Sequence, residues 1–440
     1  MLLLLMVSLF FLLVLSYILN RYELLAPSSL FTASIFFGVV WAYAYRNEWS
    51  LSLHANTFWV ILGGVFTFIV ISLITNELVY NRGRNDGNSL NGSCEQIEKS
   101  KLFIIILVEL VTIVYTMYEV KMISPTGSLS ESISLYRAQS LSDSGNFDTS
   151  LPKILSLLRT FTNATGYFFC FVAVKQWFIQ RKTSVLYLVI ILLSGISSVL
   201  LGARSGLLTL VICMGVYVYA WLKRKNKWST KGNLKLLFTA VLIFMVVVIS
   251  FQGLAELMGR DTSNYSFGYY LAIYFGAEIK NLDIFLQGSF PISDNVWGGQ
   301  TFIFLHKTLA PYLGTTLQSY SLDLPFLSVN GSSLGNVYTT FYPFVYDFGY
   351  IGVPMLTGIM AAISQISFKT FRFFDSKNVS IAVLIYSRIV AALMLSFFSN
   401  KFYENIFNFD FVKTIIIWII LDWFLFFKNS FRYRKEINIM

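Results

Sequence analysis

Leu236–Phe251 reads LLFTAVLIFMVVVISF, and from Gln252 to Thr262 the chain continues QGLAELMGRDT. The first stretch carries no charge, and its only polar side chains are Thr239 and Ser250. At the rise of an α-helix it spans about 24 Å, close to the about 30 Å of hydrocarbon in a bilayer. After Phe251 the apolar runs stop. As far as Tyr350 the sequence is rich in Tyr, Phe, Asn, Gly and Ser, with scattered charges. This boundary predicts an N-terminal helical bundle over 1–251, a polar loop over 252–350, and C-terminal helices with a basic tail over 351–440. A long polar excursion on an otherwise short-looped bundle places the protein's work on one side of a membrane.

The same pattern recurs on both sides of that boundary. Leu2–Tyr17, Leu30–Tyr45, Phe58–Thr75, Leu102–Tyr118, Phe161–Phe178, Val185–Leu201, Leu207–Leu222, Ile351–Ile366, Ile381–Phe398 and Phe411–Phe427 are also apolar enough to cross a bilayer. The expected fold is all-α, a polytopic membrane protein with about eleven spans and one large external loop. With 56% hydrophobic and 13% charged residues in 440, the chain has more apolar surface than one soluble core can bury. No basic residue precedes Leu2–Tyr17 and Arg21 follows it, so this run reads as a retained span and not a signal peptide.

Charge sets the orientation. Lys223, Arg224, Lys225, Lys227, Lys231 and Lys235 share one short loop, and Lys369, Arg372 and Lys377 another. Lys175, Arg181 and Lys182 form a third cluster, and Lys428, Arg432, Arg434 and Lys435 the tail. All four lie in the cytoplasm, where basic loops belong, only if 252–350 is external; the N-terminus is then outside as well. The net charge of +10 is explained by topology and anionic lipid, with no nucleic acid required. Cys94 falls in an expected cytoplasmic loop and Cys170 and Cys213 within spans, so no external disulfide framework is expected. Inside the large loop, Tyr269–Gln287 has a weak helical pattern and is expected to lie at the membrane surface without spanning.

Chemistry must then come from few residues. The chain has two histidines, His54 and His306, and no Cys/His cluster, Asp-x-Asp, P-loop or Gly-x-Ser-x-Gly elbow. Neither a metal nor a nucleotide cofactor is expected. Arg204, in Gly202-Ala-Arg-Ser-Gly206, Arg260, in Met258-Gly-Arg-Asp-Thr262, and Arg159 stand at external span ends. Each either offers a fork of donors to a phosphate or snorkels to the interface. Arg388 lies within a span, where a charge faces a wet cavity or a partner such as Glu109 or Asp347. For proton transfer the acids Glu278, Asp283, Asp294, Asp323 and Asp347 and the imidazole of His306 are available, although Asp347 serves equally as a helix cap. Tyr274, Asn336 and Tyr338 stand among loop aromatics and hydrogen-bonding residues that suit sugar faces or an interfacial belt.

The many spans, the Gly202-Ala-Arg-Ser-Gly206-Leu-Leu segment, and a loop closing with Gly335-Asn-Val-Tyr-Thr339 and Asp347-Phe-Gly-Tyr-Ile-Gly352 resemble the Wzy-type O-antigen polymerases. Gly298-Gly-Gln-Thr-Phe302 is similar to that family's mid-loop pattern. The resemblance implies a glycosyltransferase of the bacterial inner membrane with its active face in the periplasm. Its substrates would be oligosaccharide repeat units on undecaprenyl pyrophosphate, joined without metal or cofactor. A flippase and a chain-length regulator would be its partners. The family's diphosphate-binding arginines correspond to Arg204 and Arg260; the resemblance supplies no catalytic base, and Asp347 is a candidate catalytic residue because it stands where the chain re-enters the membrane. The alternatives are an O-antigen ligase, which shares the layout, and a lipid-linked oligosaccharide flippase, which has little use for a long external loop.

Overall fold

Residues 1–79, 97–141, 150–257, 266–288, 297–313, 324–374 and 379–437 are described by a computed structural model. In chain order the helices are α1 (Leu2–Leu19), α2 (Pro27–Ala44), α3 (Ala55–Leu78), α4 (Lys99–Ile123), α5 (Leu129–Leu141), α6 (Lys153–Gln180), α7 (Val185–Val199) and α8 (Ser205–Lys225). They continue as α9 (Asn233–Leu257), α10 (Phe267–Phe275), α11 (Ala277–Gln287), α12 (Ile303–Leu313), α13 (Phe341–Arg372), α14 (Ile381–Met394), α15 (Lys401–Asn405) and α16 (Phe409–Ile437). Strands β1 (Leu327–Val329) and β2 (Ser332–Gly335) form one small hairpin. Among the described residues six helices, α1, α2, α3, α4, α8 and α13, are long and apolar enough to cross a membrane. The all-α membrane class follows, because an apolar helix satisfies its own backbone in lipid.

The chain forms two compact units. The first comprises Met1–Gly83, Thr262–Phe371 and Arg388–Phe409, and the second Arg84–Asp261, Arg372–Ser387 and Asp410–Met440. Hydropathy divides the chain at 251 and 350, whereas compactness gathers pieces from both sides of those positions.

In the first unit α1 and α2 are joined by hydroxyls. Ser16 Oγ donates to Ser28 Oγ at 2.9 Å and lies 3.2 Å from Ser29 Oγ, while Asn20 Nδ2 donates to Ser28 Oγ at 2.9 Å. Such small polar pairs let apolar helices approach and recognise one another. The core is aromatic: Phe31 stacks on Phe68 at 4.4 Å, and Phe341 meets Phe31 edge-on. Gly64 makes room for that ring, since a Cβ there would lie 2.3 Å from Phe341 Cε1. Helix α13 breaks at Gly349, whose φ of 62° and ψ of −162° belong to a region in which glycine alone is unstrained.

The surface helix expected over Tyr269–Gln287 is corrected by the structure. It is two short helices meeting at Gly276, and both pack on α2 with Glu278 and Asp283 fully buried. Going down α10, Tyr269 stands by Tyr45 and Trp49, and Phe275 reaches Phe37 and Trp41. Gly276 turns the chain back, where a Cβ would lie 2.7 Å from the Ala42 amide nitrogen. The return helix carries Glu278 past Gly38 and brings Asp283 to the start of α3. The hairpin therefore inserts beside α2 from its Ala44 end to the level of Gly38, about 9 Å along that helix. An amphipathic reading fails here because the polar residues face protein. The β hairpin closes through Asn330-Gly331, both at positive φ (52° and 77°), and Asn330 Nδ2 donates to Glu48 O and Ser50 Oγ, each at 3.0 Å.

In the second unit α6 packs most closely on α7. Gly166 admits Ser194, whose Oγ would be 2.1 Å from a Cβ at that glycine. The Trp418 indole on α16 donates to Ala164 O at 3.0 Å, and Ser387 Oγ donates to Tyr217 OH at 3.0 Å. Cys170 and Cys213 are buried, as small apolar side chains. Cys94 lies outside the described residues.

Candidate functional site

The second unit concentrates arginines where the C-terminal end of α4, the helix α5, the start of α6 and the α7–α8 turn come together. Helix α5 docks there through Ile133 and Tyr136, which pack with Ile113, Val120 and Leu200. Arg159 is buried on α6; its Nη1 donates to Thr116 Oγ1 at 3.2 Å and its Nη2 to Ser197 O at 3.1 Å. Both partners are neutral oxygens, so neither cancels its charge. Burial raises the Tyr136 phenol above its ordinary range, and the charges of Arg159 and Arg137 pull it back. Those two guanidiniums thus act on one phenol.

The turn carrying Arg204 joins the same cluster. Gly202 has φ 71°, and a Cβ on it would lie 2.7 Å from Arg137 Cβ and 3.2 Å from Ile133 O. Glycine is required for both reasons, the backbone sign and the close approach to α5. Two residues on, Arg204 caps the start of α8 and is buried. A helix N-terminus adds amide dipoles of the same sign as the guanidiniums. The structure therefore brings the Arg159 and Arg204 regions together through Arg137, which sequence reasoning passed over. Its signal was the pairing Tyr136-Arg137 in a Ser-rich segment between two apolar runs. Arg260 lies outside the described residues.

Of the remaining residues singled out from the sequence, Glu109 belongs to the second unit, Asp294 and Asp323 lie outside the described residues, and the others belong to the first unit. Asp347, buried on α13, accepts from Gln300 N at 3.1 Å and Thr301 N at 2.6 Å, one bond to each carboxylate oxygen. Thr301 is further held through Asn400 Nδ2, which donates to its carbonyl at 3.2 Å. The carboxylate thus anchors the Gly298–Phe302 turn, with Trp297 stacked on Phe302. It caps that turn rather than the following helix. His306 is turned to the same segment, its Nε2 2.9 Å from Trp297 O. Tyr274 stacks on Phe398, and Tyr338 lies 4.2 Å from Tyr342 in a ring ladder continued by Phe285 and Tyr346. Asn336 follows β2 and is half-buried, as is Arg388 on α14. Glu109 accepts from Thr165 Oγ1 at 2.6 Å. Glu278 is completely buried beside Gly38, and burial pushes its carboxyl well above the usual carboxylate range.

One arrangement in the first unit has no precursor in the sequence reading. His54, at the start of α3, meets Asp283 of α11: the backbone N of His54 donates to Asp283 Oδ1 at 3.0 Å, and Nδ1 lies 3.0 Å from Oδ2. Thr57 Oγ1 donates to Oδ1 at 2.6 Å and Gln287 Nε2 to Oδ2 at 3.0 Å. No local pattern could have announced it, since the two residues are 229 positions apart.

No family model, no curated protein and no solved structure matches this chain.

Proposed function

We propose that the chain is a membrane glycosyltransferase with about eleven spans, which polymerises lipid-linked oligosaccharide repeat units on the periplasmic face of a bacterial inner membrane. The donor is a chain carried on undecaprenyl pyrophosphate, and the acceptor is a sugar hydroxyl of an incoming unit. The observation that carries this reading is the arginine cluster of the second unit: Arg159 held by neutral oxygens, Arg137 against Gly202, and Arg204 opening α8. A planar guanidinium fork such as that of Arg159, whose hydrogen bonds go to neutral oxygens, suits a diphosphate. As the anomeric C–O bond breaks, negative charge grows on the leaving diphosphate, and guanidiniums already in place stabilise it without reorganising.

The test is the banding of surface lipopolysaccharide from a strain lacking the protein and from that strain given Arg204→Ala. Loss of the ladder with a single repeat unit still on the core is the expected result, and the variant should not restore it. Loss of even the single unit would replace the polymerase by a ligase or a flippase. A restored ladder would remove Arg204 from the site.

A further inference from the structure

Arg159 and Arg204 are each 8% exposed, so a diphosphate carrying a lipid tail and a saccharide cannot reach them while the second unit stays closed. The element that lies against both regions is α5, through Tyr136 beside Arg159 and through Ile133 and Arg137 against Gly202. We infer that α5 is a lid over the arginine site, which opens on the Ser124–Ser128 link to admit the lipid diphosphate and shuts before the anomeric bond breaks. The inference rests on the polymerase reading above.

The construction of α5 makes it the part that moves. Its inner side is small, with Ile133 and Tyr136 packed on Ile113, Val120 and Leu200. On its outer side Glu131, Leu135, Ala138 and Ser140 are exposed. It leaves α4 by a non-helical link in which Pro125, Gly127 and Ser128 are exposed. Ties across that link are polar: Ser124 Oγ donates to Gln139 Oε1 at 2.5 Å, and Thr126 Oγ1 lies 2.8 Å from Ser132 Oγ. A short helix with one apolar contact patch opens more readily than the long apolar helices beneath it.

The site under α5 stays in place. Arg159 belongs to α6 and Arg204 opens α8. Among the described residues, two N–H groups of Arg159 go to Thr116 and Ser197, and a guanidinium has five to offer. Arg137 alone rides on α5. Opening carries it away and uncovers the other two arginines. Closing returns it to Gly202, so the diphosphate meets three guanidiniums only once water has been excluded.

The test fastens α5 shut. In the full chain with Cys94→Ser, Ser124→Cys and Gln139→Cys, ethylene bis-methanethiosulfonate joins the two introduced thiols where a hydrogen bond now stands. Polymer growth in membranes of the native host should fall by about 10-fold or more on bridging and return when a reductant is added. Growth by the bridged protein at the unbridged rate overturns the lid. Hydrogen exchange of the unaltered protein in detergent decides the matter even if the variant does not accumulate or the bridge does not form. Amides over 129–141 should exchange about 10-fold or more faster than those of α4 and α6, and farnesyl diphosphate should slow them. Protection of α5 equal to that of α6, with or without farnesyl diphosphate, overturns the lid. A ladder unchanged by deleting the gene, with α5 still slowed by farnesyl diphosphate, overturns the polymerase reading and upholds the lid.

Discussion

Glu278 Oε1 stands 2.8 Å from the point where a Cβ on Gly38 would lie, so the missing side chain of α2 is the space that a carboxyl of α11 occupies. Both oxygens of that carboxyl are buried without a hydrogen-bond partner among the described residues, and burial raises its affinity for a proton. A raised folded-state pKa gives stability that is complete below the unfolded value, about 4.3, and is lost as pH rises toward the folded value. The unaltered protein should therefore become less stable above about pH 4, by up to about 1.4 kcal/mol per pH unit from this group. Glu278→Gln should remove that slope. Thermal unfolding in detergent across pH 4–8 reads the difference, and parallel profiles would show that Glu278 is ionised in the folded protein.

Gly38→Ala should be mildly destabilising. The helix gains about 1 kcal/mol from alanine, while crowding Glu278 and Phe397 costs about 1–3 kcal/mol. The deficit should shrink in the double variant with Glu278→Ala, which thermal unfolding can measure.

Gly202→Ala should be more damaging than Gly206→Ala. At 202 a side chain meets both a φ of 71° and the Arg137 stem, for a loss of about 2–3 kcal/mol and a displaced Arg204. At 206 it meets Ser198 Cβ at 3.0 Å within a helix that alanine favours. Polymer growth should fall sharply for the first and little for the second; equal growth would detach the turn from the site.

Asp347→Asn can accept at one oxygen only, so one of the Gln300 and Thr301 amides loses its partner. The expected cost is about 1–3 kcal/mol in thermal stability, with faster proteolysis between Trp297 and Phe302. Unchanged stability with abolished polymer growth would instead assign the carboxylate to the chemistry.

Asn330→Ala removes two side-chain hydrogen bonds and places alanine at φ 52°, for about 2 kcal/mol or more. Asn330→Gly relieves the backbone and should lose about half as much. Equal losses for the two would show that the side-chain bonds to Glu48 and Ser50 dominate.

The helices were readable because a membrane helix is a local property: an apolar run of sufficient length satisfies its own backbone, whatever its neighbours do. Gly202 and Arg204 were readable as a pair, because a glycine-flanked arginine between two apolar runs is a local pattern. So, in principle, was the Asn330-Gly331 hairpin, though it was passed over among the aromatic residues of the loop. What packs on what was not readable. Tyr269–Gln287 has too little apolar periodicity to announce burial, and it becomes a buried hairpin only because Gly38, Ala42 and Gly276 let backbones and a carboxyl approach. Arg137 joins the arginines only through the fold of α5 onto the Gly202 turn. His54 and Asp283 meet only because α11 returns to the start of α3. Hydropathy acts along the chain and is written there. A hydrogen bond between distant residues depends on tertiary packing, and only the folded structure decides it.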